Sequence, residues 1–211
     1  MKRKDTLKYS IGTTEGDYEP SSNDRVLKNK LGITLETEIQ EAEEFLLLQL
    51  YNYIFANEFS IERLSFQDIM DWHRKWLKPI YAWAGELRTV DMSKGDFRFA
   101  AAQFLPKQIE PFESEFLDLY GQLNAMNAQD LVGFLAKSHV EFILIHPFRE
   151  GNGRISRLLM DVMATQAGYG PLDYSLWDQH KDFYFGSIQA GVAGDYQHME
   201  RLVKDILTKD Y

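Results

Sequence analysis

The chain contains no cysteine among its 211 residues. This absence excludes disulfide bonds, a thiol nucleophile and a cysteine-ligated zinc site. Long apolar runs are also missing, because the most apolar stretch, residues 142–145, is far too short to span a bilayer. No apolar segment follows the basic N-terminal residues, so they do not resemble a signal peptide. We therefore expect a cytoplasmic protein without a membrane partner.

Basic residues are outnumbered by acidic ones, 23 to 32, which gives a formal net charge of −9. A surface of this charge repels nucleic acid and anionic lipid, so we expect no direct nucleic-acid partner. An anion would need a local pocket of arginines and backbone N–H groups. Apolar residues make up 45% of the chain, which is enough to bury a sizeable core in one domain.

Helical periodicity dominates the sequence, and we predict an all-α bundle. The polar residues 1–24 are predicted to form a loosely ordered N-terminal arm, which leaves 25–211 as the domain. Thr34 is predicted to cap the first helix, with Phe45, Leu46, Leu50 and Ile54 on its buried face. The predicted helices cover about residues 35–53, 67–77, 102–124, 131–145, 153–167, 178–191 and 195–209.

One segment, residues 88–99, departs from the helical pattern. Apolar and polar residues alternate there on both sides of a turn signal at Lys94 and Gly95, which predicts a short β-hairpin inserted in the bundle. An isolated hairpin is only marginally stable in water. It must therefore pack on the helices or serve as a mobile flap, and the sequence leaves both possibilities open.

The residues with the clearest chemistry lie between the fourth and fifth predicted helices, at 146–157. Gly151 and Gly153 allow positive φ angles and a close approach to a ligand. The helix N-terminus that follows them is a favourable place for an anion. Arg154 and Arg157 are three residues apart, so they share a helix face and can grip phosphate oxygens together. The spacing predicts an anion site.

Two further side chains complete this cluster. Glu150 is a carboxylate beside the predicted phosphate site, where Mg²⁺ is usually held by one or two carboxylates and the phosphates. His146 titrates near neutral pH and could take a proton from a nucleophile. Each has a structural alternative, a helix cap for His146 and a helix-dipole partner for Glu150. These alternatives do not explain the whole set, which indicates phosphoryl or nucleotidyl transfer.

Residues 146–157 match H-x-F-x-(D/E)-G-N-G-R-x-x-R at every specified position, and this pattern resembles the motif of the Fic family. Residues 27–33 and 81–90 also resemble segments of bacterial Fic proteins, so the likeness covers roughly 18–208. The resemblance implies the helical Fic fold with a hairpin flap. It also implies transfer of AMP from ATP to a Tyr, Thr or Ser hydroxyl of a target protein.

The resemblance assigns a role to each motif residue. His146 would deprotonate the target hydroxyl, and Glu150 would coordinate the Mg²⁺ that bridges the phosphates of ATP. Arg154 would hold the β-phosphate and Arg157 the γ-phosphate, while Phe148 would be buried as an anchor. The anion hole would be formed by Gly151, Asn152 and Gly153.

The resemblance also implies that the hairpin docks the target by strand addition. The flap residues concerned are Asp91, Met92, Ser93, Lys94, Gly95, Phe97 and Phe99. Gly153 favours AMP transfer, because the related Doc proteins have Lys at this position and transfer a phosphate. A phosphotransferase and a non-catalytic nucleotide-binding module remain alternatives, and the motif does not exclude phosphocholine transfer.

Many Fic proteins resemble one another in a restraining helix with the pattern S/T-x-x-x-E-G/N, whose Glu pairs with the second motif arginine, here Arg157. In this sequence Glu precedes Gly only at Glu15 and Glu150, and neither fits the pattern. The chain therefore resembles the toxins that a separate small antitoxin restrains. That class implies targets of the DNA gyrase and topoisomerase IV type.

Overall fold

The computed structural model describes residues 10–11, 17–56 and 61–207. The chain divides into two compact units, and each takes more than one stretch of sequence. Unit 1 comprises the described residues of Met1–Ser60, together with Gln67–Leu105 and Pro147–Glu150. Unit 2 comprises Ile61–Phe66, Pro106–His146 and the described residues of Gly151–Tyr211.

Unit 1 combines helices with a small antiparallel sheet. Its elements are β1 (Ser10–Ile11), α1 (Glu36–Phe55), α2 (Phe66–Leu77, with Phe66 in unit 2), β2 (Met92–Lys94) and β3 (Phe97–Arg98). The strand order is β1-β2-β3, with Ser10 opposite Ser93 and Lys94 opposite Phe97. The predicted hairpin is therefore confirmed, whereas the pairing of β1 with β2 was not predicted.

The regular secondary structure of unit 2 is helical wherever its residues are described. Its α-helices are α3 (Leu105–Phe112, with Leu105 in unit 1), α4 (Ala128–Ile145), α5 (Asn152–Gln166), α6 (Ser175–Gln179), α7 (Lys181–Gly191) and α8 (Gln197–Ile206). Helix α4 packs against α5, α7 and α8. The five α5 side chains predicted to face inward are all buried: Ile155, Leu158, Leu159, Val162 and Met163. The predicted fold class, an all-α domain with an inserted hairpin, is confirmed.

The prediction for the start and face of α1 is partly wrong. Leu35, not Thr34, precedes the first helical residue, and no side chain caps this end. Phe45 is 61% exposed and Leu46 only half-buried, because both lie off the face that turns inward. That face is formed by Ile39, Glu43, Leu50 and Ile54.

Glu43 explains why an apolar pattern misplaced this face. The Tyr81 hydroxyl donates to the Glu43 carboxylate at 2.6 Å, and the Trp76 indole N–H donates to the Glu43 carbonyl at 2.8 Å. A buried carboxylate needs such hydrogen bonds to offset the loss of water. Both partners come from outside α1, so the sequence of α1 alone gives no sign that Glu43 is buried.

The single helix predicted over residues 102–124 is broken in the structure. A 3₁₀ turn at Ala102–Phe104 leads into α3, which is followed by a π turn at Glu113–Leu117 and a 3₁₀ segment at Tyr120–Ala125. Pro111 lies inside α3, where it lacks an N–H and its ring opposes the preceding turn. A regular helix therefore cannot continue past this point.

The C-terminal predictions hold with one change. The helix predicted over residues 178–191 is two helices, α6 and α7, separated at His180 by its non-helical φ of −115° and ψ of 47°. The helix predicted over 195–209 is α8, which ends at Ile206, and residues 208–209 lie outside the described residues. No helix in the described ranges is long and apolar enough to cross a membrane.

Part of the predicted N-terminal arm carries hydrogen bonds. The backbone N–H of Glu19 donates to the carbonyl of Val26 at 2.8 Å, and the Ser22 hydroxyl donates to the carbonyl of Glu19 at 2.7 Å. Tyr18 forms an isolated bridge with Leu27. Residues 1–9 and 12–16 of the arm lie outside the described residues.

Candidate active site

The segment 146–157 begins where α4 ends. Asn127 caps the start of α4 by accepting the Asp130 N–H at 3.0 Å. The helix ends at His146, which adopts the left-handed conformation with φ 49° and ψ 61° and donates its N–H to the Phe142 carbonyl at 3.0 Å. A left-handed residue other than glycine is strained by about 1–2 kcal/mol. The surrounding structure therefore holds His146 in place.

The orientation of the His146 ring decides which nitrogen can act as a base. Nδ1 lies 3.2 Å from the carbonyl oxygen of Ile143 in the last turn of α4. A ring nitrogen that faces a carbonyl carries the proton, because the carbonyl only accepts. In the neutral ring the basic lone pair is then on Nε2, and the end of α4 selects this tautomer.

Residues Pro147–Glu150 belong to unit 1, where a second histidine fixes them. Phe148 is fully buried, as predicted, and stacks on His73 with 4.0 Å between ring centroids. His73 Nδ1 accepts the Gly85 N–H at 2.8 Å, so its proton is on Nε2. Nε2 donates to the Glu150 carbonyl at 3.0 Å. This contact fixes the backbone from which the Glu150 carboxylate projects.

Tyr18 lies within electrostatic reach of the same segment of unit 1. Burial raises the pKa of the Tyr18 hydroxyl, the charge of Arg149 opposes this, and the carboxylates of Asp24 and Glu150 add to it. Tyr18 is thus a neutral hydroxyl beside the loop. No sequence motif connects Tyr18 with Glu150.

Helix α5 begins with the two glycines of the motif. Gly151 precedes the helix in the left-handed region, with φ 81°, and Asn152 is completely buried. The first N–H groups of a helix have no partner within it and favour an anion. At Gly153 a Cβ would meet no atom within 4 Å. Packing therefore does not require glycine at position 153.

Arg157, on the second turn of α5, has a protein partner. Its Nη2 lies 2.8 Å from Asp178 Oδ1 and its Nη1 lies 3.2 Å from Oδ2. Burial opposes the charge of Arg157, but the hydrogen bond and charge of Asp178 outweigh it, so the pKa of Arg157 is raised. The same hydrogen bond lowers the pKa of Asp178. No spacing rule links two residues on different helices, so the sequence did not reveal this pair.

Aromatic side chains surround the Arg157 guanidinium in unit 2. Its central carbon lies 5.0 Å from the Tyr174 ring centroid and 6.0 Å from that of Trp177. Behind them His139 is buried, and its Nε2 shares a 2.9 Å hydrogen bond with the Tyr184 hydroxyl. Burial and the nearby charge of Arg157 lower the pKa of His139 to about 3. His139 is therefore a neutral structural residue, as the sequence suggested.

Glu150 fits Mg²⁺ better than a metal held entirely by protein. The described residues contain no group of three or more His, Asp or Glu side chains arranged to hold a metal ion. Zinc sites need at least three protein ligands, whereas Mg²⁺ binds through one or two carboxylates, phosphate oxygens and water. One carboxylate supplied by the chain, such as that of Glu150, would be compatible with the second type.

The hairpin is fixed at its base and exposed at its tip. The buried Arg88 guanidinium donates to the carbonyls of Val90, at 2.6 Å, and Ala100. Asp91 accepts the Ala102 N–H at 2.7 Å. Met92 is buried, whereas the turn residues are exposed: Lys94, Gly95 and Asp96. The hairpin is thus attached to unit 1 and presents its turn to solvent.

The predicted site residues are distributed over both units. Unit 2 contains His146 at the end of α4 and the residues at the start of α5: Gly151, Asn152, Gly153, Arg154 and Arg157. Unit 1 contains Glu150 and the flap. The sequence missed two contributors, His73 beneath the loop and Asp178 on Arg157.

The fold is mainly helical, and a turn that contains Gly151 precedes the N-terminus of α5. Residues 63–164 match the model of the Fic/DOC family. The match covers 102 of the 211 residues, and over that part the chain is similar to members of this family.

The chain is similar to proteins named as adenylyltransferases. It is 28% identical over 137 residues to the probable protein adenylyltransferase Fic of Escherichia coli, an alignment that covers 65% of this chain and 66% of that protein. It is 27% identical over 198 residues to the protein adenylyltransferase Fic of Nematostella vectensis, covering 92% of this chain and 45% of that protein. The chain thus spans just under two thirds of the first relative and less than half of the second.

Solved structures share the fold. BepC of Bartonella tribocorum, a VirB-translocated effector with bound AMPPNP, aligns with a TM-score of 0.73 at 20% identity, covering 93% of this chain and 97% of that one. The N-terminal Fic domain of a Bartonella quintana effector, with bound ADP, aligns with a TM-score of 0.73 at 22% identity, covering 90% and 93%. At these identities the likeness shows the fold alone.

The buried His139 should make stability fall in acid. Its folded pKa of about 3 lies below the ordinary value of 6.5, so the unfolded chain binds one more proton between these pH values. Stability should therefore decrease as pH falls from 6.5, by up to about 1.4 kcal/mol per pH unit from this residue. His139→Gln should remove that part of the slope, measured by denaturant unfolding at pH 7, 6 and 5.

Ser187→Ala is the matched control, because it removes a buried hydrogen bond to the Phe183 carbonyl without removing a titratable group. It should lower stability equally at each pH. An unchanged pH slope in His139→Gln would show that His139 is not held neutral.

Proposed function

We propose that the chain transfers AMP from ATP to a Tyr, Thr or Ser hydroxyl of a target protein. The proposal depends mainly on the hydrogen bond from His146 Nδ1 to the Ile143 carbonyl, because it leaves Nε2 as the basic nitrogen. This histidine is the first residue of a complete Fic motif. Relatives named as protein adenylyltransferases support the same activity, and the neighbours with bound AMPPNP or ADP are compatible with a nucleotide in this fold.

The reaction follows from the proposed roles. His146 Nε2 takes the proton of the target hydroxyl as its oxygen attacks the α-phosphorus. The bond from the α-phosphorus to the oxygen bridging it to the β-phosphorus breaks, and pyrophosphate leaves. Arg154 on the β-phosphate and Arg157 on the γ-phosphate stabilise the negative charge that develops on this leaving group. The anion hole of Gly151, Asn152 and Gly153 holds the remaining phosphate oxygens.

Glu150 is the proposed ligand for Mg²⁺ in this site. When bound, Mg²⁺ supplies positive charge to the α- and β-phosphates. The chain's own contribution is a carboxylate whose backbone carbonyl is fixed by the Nε2–H of His73. Preorganisation of this kind is needed because a misplaced ligand reduces catalysis steeply.

The flap is proposed to dock the target by strand addition. In the sheet order β1-β2-β3, β2 is paired on both sides, whereas β3 has β2 as its one strand partner within residues 10–11, 17–56 and 61–207. The outer edge of β3 is therefore the edge that we assign to the target backbone. Phe97 and Phe99, whose rings lie 5.3 Å apart, follow this edge and could contact target side chains.

The resemblance to Fic proteins also leads us to propose how the chain is regulated and which proteins it modifies. We propose a bacterial, cytoplasmic toxin whose separate antitoxin supplies the S/T-x-x-x-E-G/N helix that this sequence lacks. The antitoxin's Glu would then pair with Arg157. The proposed targets are of the DNA gyrase and topoisomerase IV type.

Isotope position tests the activity. Lysate proteins are incubated with the chain and ATP labelled at the α- or the γ-phosphate. We expect protein-bound label from α-labelled ATP only, and a loss of at least about a hundredfold in His146→Ala, since a positioned general base typically contributes 10²–10⁴-fold.

The two labels separate the alternatives. Label from γ-labelled ATP alone would contradict AMP transfer and indicate a phosphotransferase. If purified gyrase and other candidate targets accept no label while nucleotide binds, the result would favour the non-catalytic alternative or another nucleotide donor.

The variant Gly153→Ala tests whether glycine is needed at this position for nucleotide binding or for packing of the fold. Because the new methyl group meets no atom within 4 Å, the variant should be as stable as the wild type or up to about 1 kcal/mol more stable, since alanine favours a helix. Nucleotide binding and AMP transfer should nevertheless fall, because the methyl group occupies the space through which phosphate approaches the backbone. Unfolding midpoints and binding titrations on one sample measure both quantities.

Gly186→Ala on α7 is the control, since its Cβ also meets nothing within 4 Å and it lies outside the motif. Binding by Gly153→Ala as tight as that of Gly186→Ala would contradict the proposed anion hole.

A further inference from the structure

Arg157, the proposed partner of the terminal phosphate, already holds a carboxylate. Both of its terminal nitrogens donate to Asp178, one N–H to each oxygen, at 2.8 and 3.2 Å. This is the fork geometry with which a guanidinium also binds two oxygens of a phosphate. Asp178 therefore occupies the donors that a phosphate would use.

The backbone and ring contacts keep Arg157 within reach of Asp178. The Tyr174 hydroxyl donates to the backbone carbonyl of Arg157 at 3.0 Å, and the rings of Tyr174 and Trp177 lie beside the guanidinium. Oδ1 of the buried Asp161 lies 2.9 Å from the same hydroxyl oxygen, so the two acceptors share its one proton. The arginine is thus held by contacts that do not depend on Asp178.

Both side chains of the Arg157–Asp178 ion pair are partly exposed to solvent, so a ligand could replace Asp178. The side chain of Arg157 is 24% exposed and that of Asp178 is 51% exposed. Ion pairs in contact with water contribute little to stability, so a strongly charged ligand can displace one. The hydrogen bond from Arg157 also keeps the Asp178 carboxylate ionised. A polyphosphate must therefore displace Asp178 or bind beside a like charge.

We propose that Asp178 is an internal competitor for Arg157, and that it sets how strongly the site prefers a nucleoside triphosphate to a monophosphate. The inference rests on the proposed function only in assigning the terminal phosphate to Arg157. A monophosphate has no group that reaches this arginine in that assignment. Asp178 should therefore weaken the binding of the triphosphate and leave that of the monophosphate unchanged.

Asp178 could also have the opposite effect on triphosphate binding. A carboxylate that only positions Arg157 for the phosphate would strengthen triphosphate binding. The contacts from Tyr174 and Trp177 argue against this role, because they hold Arg157 without Asp178. The two roles predict changes of opposite sign.

The test measures the dissociation constants of α,β-methylene-ATP and AMP by calorimetry, in wild type and Asp178→Asn. Asparagine keeps the size of the side chain and one acceptor oxygen while removing the charge. We expect Asp178→Asn to bind the triphosphate analogue about 1.4- to fivefold more tightly, the range expected for loss of a partly exposed charge pair. Binding of AMP should not change.

Asp173→Asn is the matched control. Asp173 is an exposed carboxylate five residues earlier in the chain that accepts from Ser175 and has no hydrogen bond to Arg157. It should leave both constants unchanged. Equal unfolding midpoints for the three proteins would exclude a general change in structure.

Weaker or unchanged triphosphate binding in Asp178→Asn would overturn the proposal, as would equal tightening for both nucleotides. The readout is binding, so it is independent of AMP transfer. If Asp178→Asn changes the ratio of the two dissociation constants but the chain transfers no AMP, the role of Asp178 is supported and the proposed activity is contradicted. If the chain transfers AMP but the ratio is unchanged, only the role of Asp178 is contradicted. A wild-type chain that binds neither nucleotide would contradict both.

Discussion

The candidate site depends on the hydrogen bonds of one buried imidazole. His73 accepts from the Gly85 N–H and donates to the Glu150 carbonyl, while its ring stacks on Phe148. A loop of four residues would otherwise have many conformations, and ordering each residue costs about 1–2 kcal/mol of backbone entropy. The imidazole and the buried phenylalanine supply the compensating contacts. Only with this backbone fixed does the Glu150 carboxylate have a defined direction.

Two histidines near the loop have opposite tautomers, and each is set by a backbone group. In His73 the Gly85 N–H makes Nδ1 the acceptor, so Nε2 carries the proton. In His146 the Ile143 carbonyl places the proton on Nδ1, so Nε2 is the nitrogen that carries the lone pair and is the proposed base. The same side chain thus forms a structural bridge in one place and is the proposed proton acceptor in the other, and the difference lies in which backbone group it meets.

The sequence predicted what local pattern and motif determine, and it failed where contacts from distant elements decide. The inward face of α5 and the hairpin follow from periodicity, and both were predicted correctly. The face of α1 was misjudged because Tyr81 and Trp76 bury Glu43 from outside the helix. The motif identified Arg157, but its pairing with Asp178 depends on how α5 and α6 pack, which no residue spacing encodes.

We propose that the end of α4 selects Nε2 of His146 as the base before any substrate binds. Nitrogen NMR of ¹⁵N-histidine-labelled protein measures the tautomer, with the His146 signals assigned by their loss in His146→Ala. We expect the proton of the neutral His146 ring on Nδ1, and the reverse pattern for His73 in the same spectrum. A proton on Nε2 of neutral His146 would exclude this assignment, because that nitrogen could not then accept the proton of a target hydroxyl.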